Sequence, residues 1–317
     1  MKKTILMILL LGTVIFANEN ARFAGSFTRL GLGARSIAMG NTGVAAPARG
    51  YSFYYNPALA GFNNQKIFST GYNFMSLDRH IYFLTFGMKV PPGAGLSLGW
   101  LQSGTGELRS YNSIGEDTGE INHSANAFYG SFSRQFSDKF SIGLTIKVLM
   151  EFINDGTSAF DYESTGVGGD FGVFYQATDK LAIGAVYKDI GSRLKANTEK
   201  IFERGGTTID DFPRLFRIGA FYNTPLEWLN VAYDYELSSR GQHDNHIGFE
   251  AIHGRNLALR MGINIMDSGS PQSYTQMTFG TGFDFKFYKF VTHLDYAFIS
   301  SVIDEGSSHL FSWEIYL

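Results

Sequence analysis

The sequence has no cysteine, only seven prolines and a charged fraction of 17% in 317 residues. Without cysteine, neither disulfide bonds nor thiolate metal sites are available. Beyond the N-terminal segment, no apolar run reaches the ~18 residues that a membrane-spanning helix needs, which excludes helical spans. The 26 basic and 29 acidic residues are nearly balanced, so nucleic acid is not an expected partner.

Aromatic residues and glycine are abundant instead. The chain is 15% aromatic and contains 37 glycines. An average soluble domain has more charge and fewer aromatic residues. Combined with the lack of spanning helices, this composition indicates a membrane β-barrel.

The first 17 residues are typical of a secretory signal peptide. Lys2 and Lys3 form a basic start, residues 4–16 are apolar, and Ala17 is a small residue at which cleavage can occur. An N-terminal anchor helix is the alternative interpretation. We expect residues 1–17 to direct export and to be removed.

The clearest strand pattern lies at residues 139–152. Phe140, Ile142 and Leu144 begin an apolar series at every second position, whereas Lys147 and Glu151 belong to the opposite series. Successive side chains of a strand point to opposite sides, so one face of this strand is apolar and the other polar. A helix would space its apolar residues three and four apart.

The same alternation recurs in fourteen segments. They cover residues 66–76, 80–90, 94–103, 124–136, 139–152, 164–176, 180–190, 213–223, 227–238, 244–253, 257–267, 274–286, 290–300 and 308–317. Most have the length of a tilted transmembrane strand, and single-chain bacterial barrels have an even strand number. Residues 64–317 are therefore predicted to form an all-β, antiparallel transmembrane barrel of about 14 strands in the outer membrane of a Gram-negative-type cell.

Connection lengths agree with this topology. The connections after even-numbered predicted strands are tight turns, whereas those after odd-numbered ones include the long segments 104–123, 153–163 and 191–212. Outer-membrane barrels have short periplasmic turns and longer extracellular loops.

Charge placement favours the barrel over a soluble β-sandwich. On the apolar faces, formal charge is confined to strand ends, as at Arg134 and Asp189. A Lys or Arg facing lipid at mid-depth costs ~2–4 kcal/mol, whereas a polar lumen tolerates it. The residues predicted to line the lumen are Lys147, Glu151, Asp170, Arg217, Asp234, Glu236, Glu250, Arg260, His293 and Asp295, with Lys188, Asp284 and Glu314 on the same faces.

Residues 18–63 are predicted to form a plug inside the barrel. The stretch 30–62 is rich in glycine and alanine and lacks a long period-2 run. Asn56 can cap a short helix that begins at Pro57 and ends near Gly61. Small residues allow close backbone packing in a confined space, although an ordinary Gly/Ala-rich loop has the same composition.

Two groups of residues could form a catalytic or metal site, and the pattern of each is weak evidence for one. His243, Asp244 and His246 are close in sequence, and His293 lies two residues from Asp295 on one strand face. A histidine beside a carboxylate can act as a general base or contribute to a metal site. No nucleophile stands at an evident spacing, so we predict no enzyme, no catalytic or metal site and no cofactor.

The plug segment resembles a known family. Gly33-Ala34-Arg35, Met39-Gly40-Asn41 and Asn56-Pro57-Ala58 are similar to the N-terminal motif of the PorV/PorQ family within the FadL-like superfamily. That resemblance implies a fourteen-stranded barrel with an N-terminal plug, and an accessory function in type IX-like protein export. The alternative that it implies is passive transport of hydrophobic small molecules, and a structural or adhesive surface protein is a third possibility. The expected partners are outer-membrane lipid and either exported proteins with secretion components or a hydrophobic ligand.

Overall fold

The structure, a computed structural model, describes residues 23–155, 160–199, 201, 204–254, 256–267, 273–301 and 306–317. The predicted signal peptide, residues 1–17, lies outside these residues. The remainder forms a β-barrel with residues 23–63 inside it, and we call residues 23–63 the plug.

Sixteen strands are present in the described residues, and fourteen of them form the barrel wall. The first seven wall strands are β1 (Ile67–Phe74), β2 (Arg79–Val90), β3 (Ala94–Tyr111), β4 (Asp117–Ser137), β5 (Phe140–Asn154), β6 (Asp161–Gln176) and β7 (Leu181–Ile190). Two short strands follow, β8 (Arg193–Asn197) and β9 (Thr207–Asp211). The other wall strands are β10 (Leu215–Asn223), β11 (Leu229–Ser238), β12 (His243–His253), β13 (Leu257–Asp267), β14 (Ser273–Phe287), β15 (Phe290–Ile299) and β16 (Ser308–Tyr316).

The wall closes by antiparallel pairing of β1 with β16, from Ile67 opposite Tyr316 to Phe74 opposite His309. Hydrocarbon offers no water to an unpaired N–H or C=O group, so a spanning sheet needs this closure. Each of the fourteen predicted strands overlaps one wall strand, and the predicted fold class is confirmed. The start of β1 and the end of β16 lie at the end of the barrel that carries the tight turns, which we call the turn end.

The prediction that residues 104–123 form a loop is wrong. β3 and β4 continue through most of it and leave only residues 112–116 between them. The pairing register shifts between Thr105 and Leu108. An extra residue on one strand reverses which side chains face inward, so a single alternating pattern cannot be followed across the shift.

The predicted loop 191–212 also contains regular structure. It holds β8 and β9, which pair with each other from Arg193 opposite Asp211. β8 also pairs with β6 at Ser164 and Thr165. The wall is thus extended beyond the end of β7 by a short hairpin.

The two faces of the wall differ as the alternation predicts. Leu144 and Ile146 are 57% and 68% exposed on the outer face, whereas Lys147, the next residue of β5, is buried inside. Rings pair near both ends of this apolar surface: Phe136 contacts Phe140 near the turn end, and Trp100 stacks on Phe128 further along the barrel. Aromatic girdles of this kind mark the two membrane interfaces.

One sector of the inner wall is apolar instead of polar. Ile81, Phe83, Leu101 and Leu149 point inward from β2, β3 and β5 and are buried. They pack in one cluster with aromatic residues of the plug, and the Phe83 ring meets that of Tyr51 at a centroid distance of 6.1 Å. Apolar residues on both faces of a strand are possible here because the plug shields the inner face from water.

Asp189, predicted on the apolar face at a strand end, points inward. The register between β6 and β7 shifts, so that Lys188 and Asp189 together oppose Asp170. Asp189 has a positive φ of 62° and, like Lys188, is buried. This β-bulge turns two successive charged side chains into the lumen.

The plug has only short regular elements. They are 3₁₀ turns at Ser26–Arg29, Ser52–Tyr54 and Pro57–Phe62 and one α-helix, α1, at Ala34–Ala38. The predicted helix start is confirmed, because the Asn56 Oδ1 accepts a hydrogen bond from the Ala58 N–H at 3.0 Å and Pro57 opens the turn. In the described part of the chain, no helix is both long and apolar enough to cross a membrane.

Leu144→Arg should lower the free energy of unfolding in lipid vesicles by about 2–4 kcal/mol, because it places a guanidinium in hydrocarbon between the two aromatic girdles. Urea titration followed by the mobility of unheated samples on gels measures this loss. Tyr288→Arg is the control, since Tyr288 is 88% exposed in the β14–β15 turn and should tolerate the charge. Equal stability of both variants would contradict a lipid-facing Leu144.

Candidate functional site at the contact between plug and wall

The plug backbone meets the wall where inward positions carry glycine. A Cβ added to Gly262 would lie 1.8 Å from the Gly40 nitrogen, and one on Gly143 would lie 2.3 Å from the Pro57 carbonyl carbon. Comparable contacts with the plug occur at Gly95, Gly172, Gly184 and Gly248. The missing side chains therefore let the plug backbone lie directly against the sheet.

Asn56 joins two parts of the plug to the wall. Its Nδ2 donates hydrogen bonds to the backbone oxygens of Val44 and of Val173 in β6, both at 2.9 Å. The fully buried side chain fits against Gly172, where an added Cβ would be 2.1 Å from Oδ1. The predicted motif residue thus fixes the start of the 57–62 turn, the chain near residue 44 and the wall at one point.

Arg35 of α1 binds a carboxylate of the wall. Its Nε and a terminal nitrogen donate to the two oxygens of Glu250, each at 2.8 Å. Arg260 donates to the same Glu250 at 2.9 Å and to Asp295 at 2.6 Å. All four side chains are buried, so the two guanidinium groups and the two carboxylates neutralise one another away from bulk water.

A second wall carboxylate binds the plug backbone. One oxygen of Asp234 accepts hydrogen bonds from the N–H groups of Gly43 and Val44 at 2.8 and 3.1 Å. Arg217 donates to the Asn41 carbonyl at 3.0 Å and to Glu236 at 2.7 Å. Residues 41–44 are therefore held by groups of both signs from β10 and β11.

His246 also belongs to this contact between wall and plug, and its hydrogen-bond partners define its protonation state. Its Nε2 lies 2.9 Å from an Arg217 nitrogen, and arginine can only donate, so Nε2 must accept. Nδ1, which lies 2.9 Å from both the Gly40 carbonyl and the Asn264 Oδ1, then carries the proton. The arrangement fits a neutral imidazole that links Arg217 to the plug.

A third buried cluster surrounds the β-bulge. Lys147 lies 2.8 Å from Asp170 and 2.6 Å from Asp189, and the Asp189 N–H donates to Asp170. The Lys188 ammonium lies 4.1 Å from the centre of the Tyr54 ring. The bulge thereby connects charges of β5, β6 and β7 with the plug.

Two tyrosines of the plug organise its N-terminal part. The Tyr54 hydroxyl donates to the Thr28 carbonyl at 2.8 Å and accepts from the Gly31 N–H at 3.0 Å. The Tyr55 hydroxyl accepts from the Leu32 N–H and lies 2.8 Å from the Asn41 Oδ1. Burial raises the pKa of Tyr54 to about 12, so its hydroxyl stays protonated and able to donate.

The predicted site residues fall into two groups. The plug-motif residues Gly33, Ala34, Arg35, Met39, Gly40, Asn41, Asn56, Pro57 and Ala58 all lie inside the barrel, and all except Asn41 are buried. Of the predicted lumen residues, Glu151 lies near His123 at 3.2 Å and His293 pairs with Asp284. The others belong to the three buried clusters, and a functional role for any of these residues remains a prediction.

The two histidines of the possible His243–Asp244–His246 site are separated. His243 bonds to the Tyr235 hydroxyl at 2.9 Å on the outer side of β12, whereas His246 points inward. Within the described residues, no group of three or more ligating side chains is arranged to hold a metal ion.

Inward hydroxyls of the wall also bind the plug and were not singled out from the sequence, among them Ser141, which donates to the Ala58 carbonyl at 2.8 Å. Ser312 accepts from the Ala34 N–H at 3.0 Å. Thr278 accepts from the Gly40 N–H and donates to the Ala38 carbonyl, both at 3.1 Å. Small polar residues are common on inward strand positions, so the sequence carries no signal that distinguishes these residues.

Solved structures with the same fold are channels. The chain is similar to the CymD monoaromatic hydrocarbon channel, at 16% identity and a TM-score of 0.63 over 90% of this chain and 96% of that chain. It is similar to the Pseudomonas putida toluene transporter TodX at 16% identity and a TM-score of 0.62, over 90% of this chain and 97% of that chain. It is similar to a Pseudomonas aeruginosa FadL homologue at 11% identity and a TM-score of 0.61, over 89% of this chain and 97% of that chain. At these identities the likeness shows the fold, that of FadL-like channels, and the PorV/PorQ branch remains a prediction. No family model matches the sequence, and no curated protein matches it.

Glu250→Gln should weaken the contact of α1 with the wall, because Arg35 and Arg260 would lose the carboxylate that they share. Removing one partner of a buried ion pair costs about 3–5 kcal/mol, so the free energy of opening at plug amides should fall by a similar amount. Hydrogen exchange of residues 34–44 in detergent measures it. Asp117→Asn is the control, since it breaks the exposed Arg109–Asp117 pair and should leave plug exchange unchanged; equal protection in both variants would contradict a stabilising role for Glu250.

Gly262→Ala should displace the plug near Gly40, because the added methyl group would overlap backbone atoms that cannot rotate away. Exchange of the amides of residues 39–44 should accelerate by about tenfold or more, through easier local opening. Gly130→Ala is the matched control, since a Cβ at Gly130 meets no atom within 4 Å. If both variants exchange like the wild type, the close contact at Gly262 is not what positions the plug.

Proposed function

We propose that the protein is an outer-membrane channel for small hydrophobic molecules. The observation that supports this most is the shared fold, because 90% of the chain matches a monoaromatic hydrocarbon channel and a toluene transporter in three dimensions. Fold alone does not determine function, so the proposal also needs support from the barrel itself.

The inner wall has an apolar sector, which the plug covers. Phe83, Leu101 and Leu149 form part of a continuous apolar cluster inside the barrel, which a hydrophilic pore would not need. The plug also fills the region between this sector and the charged sector around Glu250 and Asp234. Both features support selective passage of apolar solutes over general diffusion of polar ones.

The proposed location is the outer membrane, with lipid against the exposed apolar face. Leu144, Ile146 and Phe132 lie on that face, each more than half exposed. The proposal includes no enzymatic activity and no cofactor.

Export of proteins is the second candidate. Only the motif resemblance of residues 33–58 favours it, since this is the segment that resembles PorV/PorQ proteins. In that case, exported proteins or secretion components should co-purify with the protein in mild detergent.

Cells that express the protein should take up radiolabelled toluene several-fold faster than cells with the empty vector. Arabinose uptake should stay the same, because the buried plug occupies the interior of the barrel among the described residues. Folded protein in the outer-membrane fraction must be verified by its gel mobility. Unchanged toluene uptake in such cells would refute the channel, and co-purified secreted proteins would favour export.

A further inference from the structure

A second, smaller apolar cluster surrounds a cavity at the turn end. The cavity has a volume of about 150 Å³ and lies between the plug and strands β6, β7 and β10. Its position follows from its wall residues: Phe174 is near the end of β6, Ala182 is near the start of β7, and Phe221 is near the end of β10.

The cavity walls are aliphatic and aromatic. Ala45, Leu59 and Phe62 contribute from the plug, opposite the wall residues Phe174, Ala182 and Phe221. The rings of Phe62 and Phe174 meet edge to face with centroids 4.8 Å apart. An apolar cavity of about this size can hold a benzene-sized molecule, and its aliphatic and aromatic walls offer water few hydrogen-bond partners.

The surrounding contacts prevent the cavity from collapsing. The segment that begins at Ala45 follows Val44, whose N–H is bound by Asp234 and whose carbonyl is bound by Asn56. Leu59 belongs to the Pro57–Phe62 turn, whose start lies directly against Gly143 and Gly172. With the backbone held on both sides, alanines at positions 45 and 182 leave a space that larger residues would fill.

The cavity also has a polar mouth. Gln176 and Asn223, which line it, each adjoin a tight turn of the barrel, and Pro47 beside them is exposed. The Gln176 side chain is held by a hydrogen bond to the Thr178 carbonyl at 2.7 Å. An apolar interior with a few polar groups at its entrance is the usual construction of a small-molecule site.

We infer that this cavity binds one apolar molecule of single-ring size, with its ring against Phe174 and Phe221. Phenylalanine edges and faces favour another aromatic ring, and the compact volume excludes long alkyl chains. The binding site stands on the cavity alone. Its role as the last stop of a solute before the turn-end side of the membrane rests on the proposed channel function.

Ala182→Leu should abolish binding, because the added carbons would occupy the cavity. The probe is fluorobenzene, titrated into the full-length protein in detergent and followed by ¹⁹F NMR, with an affinity loss of about tenfold or more expected. Ala185→Leu is the matched control, since Ala185 lies on the same strand but faces outward with Ile218 and Val173. It also corrects for partitioning of the probe into micelles.

Crystals soaked in bromobenzene locate the site. An anomalous peak between Phe174 and Phe221 is expected in the wild type and in Ala185→Leu, and none is expected in Ala182→Leu. Ala46→Leu, which fills the cavity from the plug side, serves if Ala182→Leu fails to fold. Equal fluorobenzene affinity in the filled and control variants, or bromobenzene only outside the cavity, would overturn the inference.

Failure of this inference is distinguishable from failure of the channel function. Toluene uptake without ligand in the cavity would refute the binding site and leave the channel standing. Bromobenzene in the cavity without toluene uptake would refute the channel function and leave the binding site standing.

Discussion

Charged side chains that point into a filled barrel lose bulk water, and each one then needs a partner within reach. Glu250 shows the consequence, because its carboxylate is shared between Arg35 of the plug and Arg260 of the wall. Asp234 instead binds two backbone N–H groups of the plug. The charged sector of the wall and the plug therefore stabilise each other.

The plug backbone also lies very close to the wall. Asp234 reaches the plug backbone because Gly219, which lies opposite it in β10, carries no side chain, and a Cβ there would be 2.0 Å from the Asp234 Oδ1. Gly184 and Gly248 likewise leave room for the plug backbone at Val44 and Met39. Part of the abundance of glycine in a chain of mostly regular strands has its reason here. Each inward glycine weakens its strand locally but lets the plug settle against the sheet.

The lumen is consequently divided. β2, β3 and β5 present apolar side chains to plug aromatics, whereas β10 to β13 present charges to plug backbone and to Arg35. The turn-end cavity lies beside the charged sector, but its lining is apolar. A barrel whose interior offers apolar surfaces next to firmly held polar contacts suits a solute that does not compete for those contacts.

The sequence alone determined the strands, the lipid-facing side and the capped turn at Asn56. These features depend on residues close together in the chain, namely the period-2 alternation and the Asn56-Pro57 pair. Alternation failed at two places, because the bulges near Thr105 and Asp189 shift which side chains face inward. The alternation also does not reveal that the inward-facing residues Phe83 and Leu101 pack against aromatic residues of the plug.

Only the tertiary structure decided which groups meet. Arg35 and Glu250 lie 215 positions apart, and nothing in their local sequence pairs them. They meet because the closed barrel holds α1 against β13 to β16, from where the Arg35 side chain reaches Glu250 of β12. Wall glycines such as Gly248 admit the plug backbone there. A one-dimensional pattern specifies which face a residue occupies, whereas the choice of its partner depends on strand register and on the path of the plug.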